Sequence, residues 1–81
     1  MTIIVKYFAL LREAVGVGEE RLELAGASTV GEVRAHLAAR HPQAFAEVKR
    51  IRAAVNGMMA RDEAPVADGD EVAFFPPVTG G

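Results

Sequence analysis

The sequence contains no cysteine and no tryptophan, and its aromatic residues are four phenylalanines and one tyrosine. Without a thiol the chain forms no disulfide, holds no metal through thiolates and has no cysteine nucleophile. Disulfide scaffolds, thiolate metal sites and cysteine-dependent catalysis are therefore excluded.

A strong charge of either sign is also lacking. Nine Lys and Arg residues against eleven Asp and Glu residues give a formal net charge of −2, and the cations are spread along the sequence without forming a stripe. Proteins that bind nucleic acids neutralise phosphates with a concentrated basic surface. We therefore expect no nucleic-acid partner.

Long apolar runs are absent as well. The apolar residues 7–11 are bounded by Lys6 and Arg12, which makes the run too short for a signal-peptide core or a membrane span. We expect a cytoplasmic protein with no membrane partner.

The length of 81 residues allows one domain, and a hydrophobic content of 51% is typical of a globular chain. A domain of this size has little free energy to spend on strained catalytic geometry. We expect no catalytic side-chain site of its own.

Apolar residues recur along the chain with the periods of strands and helices. The predicted elements are a strand over 2–8, a short helix over 9–15, a strand over 19–24, a helix from 29 to 40 or 41, a second short helix containing Phe45, Val48 and Ile51, a hairpin over 53–60 and a strand over 71–75. Thr29 and Glu32 have the spacing of a capping box. Asn56-Gly57 is the dipeptide best suited to a two-residue hairpin turn.

This order of elements predicts an α+β fold, in which a mixed sheet packs on one main helix. The order matches the β-grasp fold of ubiquitin. We assign residues 1–75 to this domain and residues 76–81 to a flexible C-terminal tail.

The tail has a composition suited to reaching into a partner. Its residues are Pro76, Pro77, Val78, Thr79, Gly80 and Gly81. The two prolines favour an extended backbone, and six extended residues reach ~20 Å. Glycines without side chains can thread a channel that is too narrow for other residues. An ordinary frayed chain end is the alternative.

The terminal carboxylate of Gly81 is the candidate reactive group. A carboxylate is a poor acyl donor until adenylation by ATP, on a partner enzyme, converts it to a mixed anhydride. Attack by sulfide then gives a thiocarboxylate, whose ionised sulfur is nucleophilic in the way that a thiolate is. Such a tail delivers sulfur without any cysteine.

The sequence resembles the small subunit of molybdopterin synthase over nearly its whole length. The matching segments are Tyr7-Phe8-Ala9, Leu11-Arg12-Glu13, Thr29-Val30, Val55-Asn56, Asp68-Gly69-Asp70-Glu71-Val72 and residues 75–81. The Asp-Gly-Asp turn with a terminal diglycine is typical of the wider superfamily of ubiquitin-like sulfur carriers. The Phe-Pro-Pro segment and the Phe-Ala-x-Leu-Arg-Glu element point to this branch.

The resemblance implies a role for each partner. An adenylyltransferase related to ubiquitin-activating enzymes would use ATP to activate Gly81. The tail would then enter a pocket of the large catalytic subunit and give sulfur to cyclic pyranopterin monophosphate, building the dithiolene of molybdopterin. Two large and two small subunits would form a heterotetramer. This chain would bind no cofactor itself, and molybdopterin would be the product.

Four apolar residues are candidates for a docking patch on the sheet face away from the main helix. They are Phe8, Met58, Met59 and Phe75. Arg12 is a candidate contact to an acidic patch on a partner. Core packing is the alternative for the apolar residues, and simple solvation is the alternative for Arg12.

Two further patterns give no ligand site. His36 and His41 are five residues apart, about 140° around a helix, and so do not form a same-face metal pair. Gly16-Val17-Gly18 lacks the third glycine and the strand-to-helix context of a nucleotide fingerprint. We predict no metal site and expect ATP to bind the partner.

Three other functions stay open. The chain is alternatively a sulfur carrier for thiamine, cysteine or tRNA thiolation, a ubiquitin-like modifier joined to lysines, or a binding domain with an incidental tail. The first two share the chemistry of the Gly81 carboxylate and differ in the acceptor.

Overall fold

A computed structural model of the chain describes residues 1–77. In chain order the elements are β1 (Thr2–Tyr7), α1 (Ala9–Val15), β2 (Glu19–Glu23), β3 (Ser28–Thr29), α2 (Val30–Arg40), α3 (Pro42–Glu47), β4 (Arg52–Val55), β5 (Met58–Ala60), β6 (Pro65–Val66) and β7 (Glu71–Phe75). The predicted flexible tail falls largely outside the described residues, so that division of the chain stays a prediction.

Five strands form one mixed sheet in the order β2-β1-β7-β4-β5. The first strand, β1, runs antiparallel to β2 and parallel to β7. On the other side β7 pairs antiparallel with β4, which pairs antiparallel with β5. The predicted α+β β-grasp architecture is confirmed, and β1 is an interior strand of the sheet.

The short strands β3 and β6 pair with each other in a second, two-stranded sheet that the sequence analysis missed. Two-residue strands are too short to show an alternating pattern. After β5 the chain returns to the start of α2, where Val30 N–H donates to Ala64 O at 3.0 Å and Gly31 N–H donates to Asp62 O at 2.9 Å. These bonds satisfy amides that a helix start would otherwise leave unpaired.

One face of the main sheet and the apolar stripe of α2 enclose the core. Val30, Val33 and Leu37 of α2 are fully buried, at the spacing that the sequence predicted. The strand residues buried against them are Ile3, Val5, Tyr7, Leu22, Ala53, Val72 and Phe74. Alternate residues of each strand consequently point to the other face, which is called the open face below.

The capping box predicted at the start of α2 is confirmed. Thr29 Oγ1 accepts a hydrogen bond from Glu32 N–H at 3.2 Å, and Glu32 Oε1 accepts one from Thr29 N–H at 3.2 Å. With 11 residues, α2 is the longest helix described in residues 1–77. None of the helices in that part of the chain combines the length and the apolar character needed to cross a membrane.

The second predicted helix is shorter than its apolar spacing implied. Only Phe45 of its three apolar residues lies within α3, while Val48 is already extended and Ile51 lies beyond it. All three nonetheless pack against the core. A three-residue spacing is compatible with a chain that leaves the helix and still covers the same surface.

The predicted hairpin turn is confirmed, since Asn56 and Gly57 have φ values of 48° and 83°. The Asn56 side chain donates to Asp70 Oδ1 at 3.0 Å and accepts from Glu71 N–H at 3.0 Å. Hydrogen bonds from Ala67 N–H and from Asn56 lower the pKa of Asp70. The turn between β4 and β5 is thereby tied to the Asp-Gly-Asp turn before β7.

A polar cluster joins β1, β2 and the end of α2. Glu20 accepts hydrogen bonds from Tyr7 Oη at 2.7 Å and from the Arg40 guanidinium, and His41 Nε2 lies 2.8 Å from Glu20 Oε2. Burial by itself raises the pKa of Glu20, but the hydrogen bonds outweigh burial and hold that pKa below its ordinary value. Burial and the neighbouring Glu20 raise the pKa of Tyr7, so its hydroxyl stays protonated and donates.

Replacing Glu20 by Gln is expected to lower the free energy of unfolding by about 1–2 kcal/mol at neutral pH, because hydrogen bonds to a charged acceptor are stronger than neutral ones. The folded-state pKa of Glu20 is depressed. Its contribution is therefore present above the pKa of the unfolded chain, about 4.3, and is lost as the pH falls through the lower folded value. Urea unfolding across this range measures the difference.

Glu19→Gln is the matched control, since Glu19 is an exposed neighbour on β2 that carries the same charge. It is expected to change the free energy of unfolding by less than about 0.5 kcal/mol. A difference between wild type and E20Q that stayed constant down to about pH 3 would contradict this account of the cluster.

Replacing Gly57 by Ala is expected to lower the free energy of unfolding by about 1–2 kcal/mol. No atom of residues 1–77 lies within 4 Å of a Cβ placed there, so the cost arises from the positive φ of the turn. Gly26→Ala is the control, because Gly26 has the same open surroundings and no positive φ. Equal melting temperatures for G57A and G26A would show that the turn imposes no such constraint.

Candidate functional site

The tail begins at the centre of the sheet. β7 ends at Phe75 and is paired on one side with β1 and on the other with β4. Phe74 is fully buried, and Pro76 and Pro77 are partly buried. The core thus fixes the point from which the tail starts. The predicted tail residues Val78, Thr79, Gly80 and Gly81 lie outside the described residues, and the reactive group at Gly81 stays a prediction.

Two of the predicted docking residues flank each other at the end of β1 and β7. Phe75 follows the buried Phe74, so its side chain lies on the open face. Phe8 continues the extended backbone of β1, with φ −130° and ψ 156°, and its N–H donates to Phe74 O at 3.2 Å. Phe8 is 46% exposed and Phe75 is partly exposed. Neither side chain belongs to the buried core.

Met59 lies on the same open face. It pairs with Ala54 of β4, which pairs with Ala73 of β7, and these positions alternate with the core residues. The Met59 side chain is 63% exposed. Phe8 and Phe75 lie side by side at the start of the tail, and Met59 lies on the same face two strands away from β7, beyond Ala54. These three residues are called the apolar patch below.

Met58 lies elsewhere than predicted. It pairs with Val55, which pairs with the fully buried Val72, so its side chain is on the helix-covered side of the sheet. It is 75% exposed because β5 is the edge strand, beyond the reach of the helices. The prediction that Met58 joins Met59 on the open face was wrong, since consecutive strand residues point to opposite faces.

Arg12 lies beside the apolar patch, on α1. Its guanidinium rests on the backbone of Gly18, where an added Cβ would lie 3.1 Å from the Arg12 Cζ and Nε atoms. Arg12 lines a groove of about 430 Å³ together with Lys6, Phe8 and Glu19. Within residues 1–77 Arg12 forms no ion pair. It is therefore available to a carboxylate on a partner.

Sequence reasoning missed Arg52 as a neighbour of the tail. Arg52 pairs in register with Phe75, so its exposed side chain lies on the open face at the last residue of β7. Strand register is not visible in one sequence, and no local pattern marked this residue. Lys6 and Glu71 form an ion pair of 3.1 Å on the same face. An apolar patch with a charged border is typical of a protein–protein interface.

The histidines and the glycine-rich turn have structural surroundings. His41 contacts Glu20 and packs edge-on against Tyr7, with ring centroids 6.0 Å apart. His36 is exposed on α2. Among residues 1–77 no group of three or more His, Cys, Asp or Glu side chains is arranged to hold a metal ion. Gly16 ends α1 with φ 95°, a conformation that favours glycine.

Comparison with known proteins gives consistent relatives. The molybdopterin synthase sulfur carrier subunit of Escherichia coli K12 is 46% identical over 79 residues, which cover 95% of this chain and 96% of that protein. The crystal structure of SAMP1 from Haloferax volcanii is 34% identical, with a TM-score of 0.87 over all of both chains. The putative molybdopterin converting factor subunit 1 of Pyrococcus furiosus has the same identity and TM-score, over 96% of this chain and 99% of its own.

These relatives agree with the β-grasp topology and with the resemblance to molybdopterin synthase sulfur carriers. A family model described as "ThiS family" matches residues 5–81, which is nearly the whole sequence. The chain therefore belongs to the ThiS family.

Proposed function

We propose that this protein is the sulfur carrier subunit of a molybdopterin synthase and that the carboxylate of Gly81 carries the sulfur. The observation that supports this most strongly is the 46% identity, across nearly the full length of both chains, to a protein named as the molybdopterin synthase sulfur carrier subunit. A protein named as a subunit works within an assembly, which fits the exposed apolar patch.

The proposed chemistry takes place at one carbon atom. The Gly81 carboxylate attacks the α-phosphorus of ATP on an adenylyltransferase and releases pyrophosphate. Sulfide then attacks the acyl carbon of the adenylate and displaces AMP, which leaves a thiocarboxylate. On the large subunit the thiocarboxylate sulfur bonds to a carbon of cyclic pyranopterin monophosphate. Water then cleaves the bond between the acyl carbon and sulfur, so the sulfur stays on the pterin and Gly81 returns to a carboxylate. A dithiolene has two sulfur atoms, so each molybdopterin requires two tails in the thiocarboxylate form.

The described residues supply the docking for this chemistry. Phe8, Met59 and Phe75 present apolar surface on the open face, with Phe8 and Phe75 beside the point where the tail begins. A partner that covers this patch receives the tail in a fixed direction, because the core holds β7. One tail enters one active site at a time. The adenylyltransferase and the large subunit would therefore bind alternately at the same face. In the complete synthase, two copies of each subunit would form the heterotetramer.

Conversion of the Gly81 carboxylate to a thiocarboxylate is detectable from the intact mass of the protein. After incubation with ATP, sulfide and the adenylyltransferase, the intact mass of the protein is expected to rise by about 16 mass units, the difference between sulfur and oxygen. One extra residue fused after Gly81 should abolish the increase, because the reactive carboxylate becomes an amide. The same residue fused before Met1 is the control and should leave the increase intact. Full conversion of the C-terminally extended protein would contradict the assignment of Gly81.

The apolar patch is tested by two adjacent methionines. Met59→Ala is expected to weaken binding to the large subunit by about five- to tenfold, because truncating an interface side chain costs on the order of 1 kcal/mol or more. Met58→Ala removes the same side chain from the opposite side of β5 and should bind normally. Both residues are highly exposed, so neither change should unfold the protein. Titration calorimetry measures both affinities, and an equal loss for the two variants would contradict the proposed patch.

A ubiquitin-like modifier is the second candidate function. It is favoured by the full-length similarity to SAMP1, since the small archaeal modifier protein 1 of Haloferax volcanii is 36% identical over 94% of this chain. A modifier and a sulfur carrier share the activation of Gly81 and differ in the next step. In a modifier the Gly81 acyl group is joined to a lysine, and in a sulfur carrier the sulfur is passed to an acceptor. An N-terminally tagged protein that forms a ladder of conjugates in cells would favour the modifier.

Carriers for thiamine, cysteine or tRNA thiolation would also use the same tail. Co-purification with the large synthase subunit, followed by production of molybdopterin from cyclic pyranopterin monophosphate, would distinguish the proposed function from these carriers.

A further inference from the structure

The cations of this chain are unevenly placed in the folded protein. Residues 49–61 contain four of the nine Lys and Arg residues and none of the eleven Asp and Glu residues. The four cations are Lys49, Arg50, Arg52 and Arg61, called the basic edge below. They belong to the loop before β4, to the start of β4 and to the residue after β5. The pairing of Ala53 with Ala60 brings Arg52 and Arg61 beside each other, and Lys49 and Arg50 shortly precede Arg52 in the chain, in a protein whose net charge is negative.

All four side chains of the basic edge are exposed, and none forms an ion pair within residues 1–77. The neighbouring carboxylate of Asp62 is already bound by Arg34 at 3.0 Å. Glu47 and Glu63 border the basic edge and are exposed. The local excess of positive charge therefore remains after these carboxylates are counted.

Three of the four cations of the basic edge line two adjoining grooves, which Asp62 and Glu63 also line. Arg50 lines one groove, Arg52 and Arg61 line the other, and Arg34 lies at the border of both. Arg34 itself has a structural role, because its guanidinium donates to Ile51 O at 2.6 Å and lies 5.6 Å from the centre of the Phe74 ring. Within residues 1–77 the four cations of the basic edge form no ion pair, so their charge is exposed to solvent.

The backbone at Arg50 allows its charge to be removed without a loss of stability. Arg50 has φ 53°, in the left-handed region that costs a residue with a Cβ roughly 1 kcal/mol. Glycine would adopt this conformation without that cost. A glycine at this position therefore removes the charge and relieves the backbone together.

The basic edge is continuous with the apolar patch. Arg52 pairs with Phe75, and Met59 lines the same groove as Arg52 and Arg61. A partner that covers the apolar patch and receives the tail therefore also meets these cations. Because the chain is negative overall, an acidic partner is repelled from most directions and attracted on this side.

We infer that the basic edge docks against a surface of Asp and Glu side chains on the large synthase subunit and orients the approaching tail, an inference that rests on the proposed function. The charge would act mainly on the association rate, since exposed charges steer an encounter more than they hold a complex. Four exposed cations on a chain of net charge −2 form too small a field to favour a nucleic acid.

The test compares charge reversals at two edges of one sheet. Arg50→Glu and Arg61→Glu are each expected to slow association with the large subunit by about threefold or more at low salt, with most of the difference lost at about 0.5 M salt. Arg21→Glu, on β2 at the opposite edge, changes the net charge equally and should have less than half that effect. Stopped-flow binding measures all three rates.

Arg50→Gly separates binding from folding. Glycine relieves the positive φ while removing the charge, so this variant should unfold at the wild-type urea concentration or above and still associate more slowly. Equal slowing by Arg21→Glu would show that only net charge acts, and unchanged rates for Arg50→Glu and Arg61→Glu would remove the basic edge from the interface. If Arg50→Glu and Arg61→Glu lost a binding to duplex oligonucleotide that the wild type shows, and still bound the large subunit normally, the basic edge would instead be assigned to nucleic acid.

The outcomes also separate this inference from the proposed function. A wild-type protein that neither binds the large subunit nor gains sulfur contradicts the proposed function itself. A wild-type protein that does both, with variants that bind equally fast, contradicts only the docking of the basic edge.

Discussion

The pairing of β7 with a strand on each side is the constraint on which the rest of the structure depends. β7 is held by parallel hydrogen bonds to β1 and antiparallel ones to β4, and Phe74 anchors it in the core. This pairing closes the sheet over α2 and sets the register of Phe75 beside Phe8 and Arg52. The same interaction that completes the core thus decides where the tail starts and which side chains surround it.

Much of this fold was predictable because its elements carry local signals. Thr29 and Glu32 mark the start of α2, and Asn56-Gly57 marks the turn between β4 and β5. Each pattern satisfies a local backbone requirement. The end of α3 and the β3–β6 pair were not predictable in the same way. Val48 and Ile51 cover the core from outside a helix, and two-residue strands exist only through the partner that the fold brings beside them.

The candidate site likewise has one part that local sequence predicts and another that depends on strand pairing. The tail is predicted from composition alone, since prolines and glycines have backbone properties that act without tertiary structure, and it stays a prediction. The surfaces around it could not, because strand register decides that Met59 and Arg52 share the open face while Met58 does not. The Glu20 cluster was likewise invisible, because Tyr7, Arg40 and His41 come from separate elements.

The parallel arrangement of β1 and β7 has a mechanical consequence. Under the proposed function, a partner enzyme that received the tail in its active site would pull along the axis of β7. Hydrogen bonds between strands lie across that axis, so the pull shears the bonds to β1 and β4 together and does not peel them apart singly. Breaking many bonds at once requires far more force than breaking them in turn. The domain can therefore resist a pulling force applied at the end of β7 and remain folded.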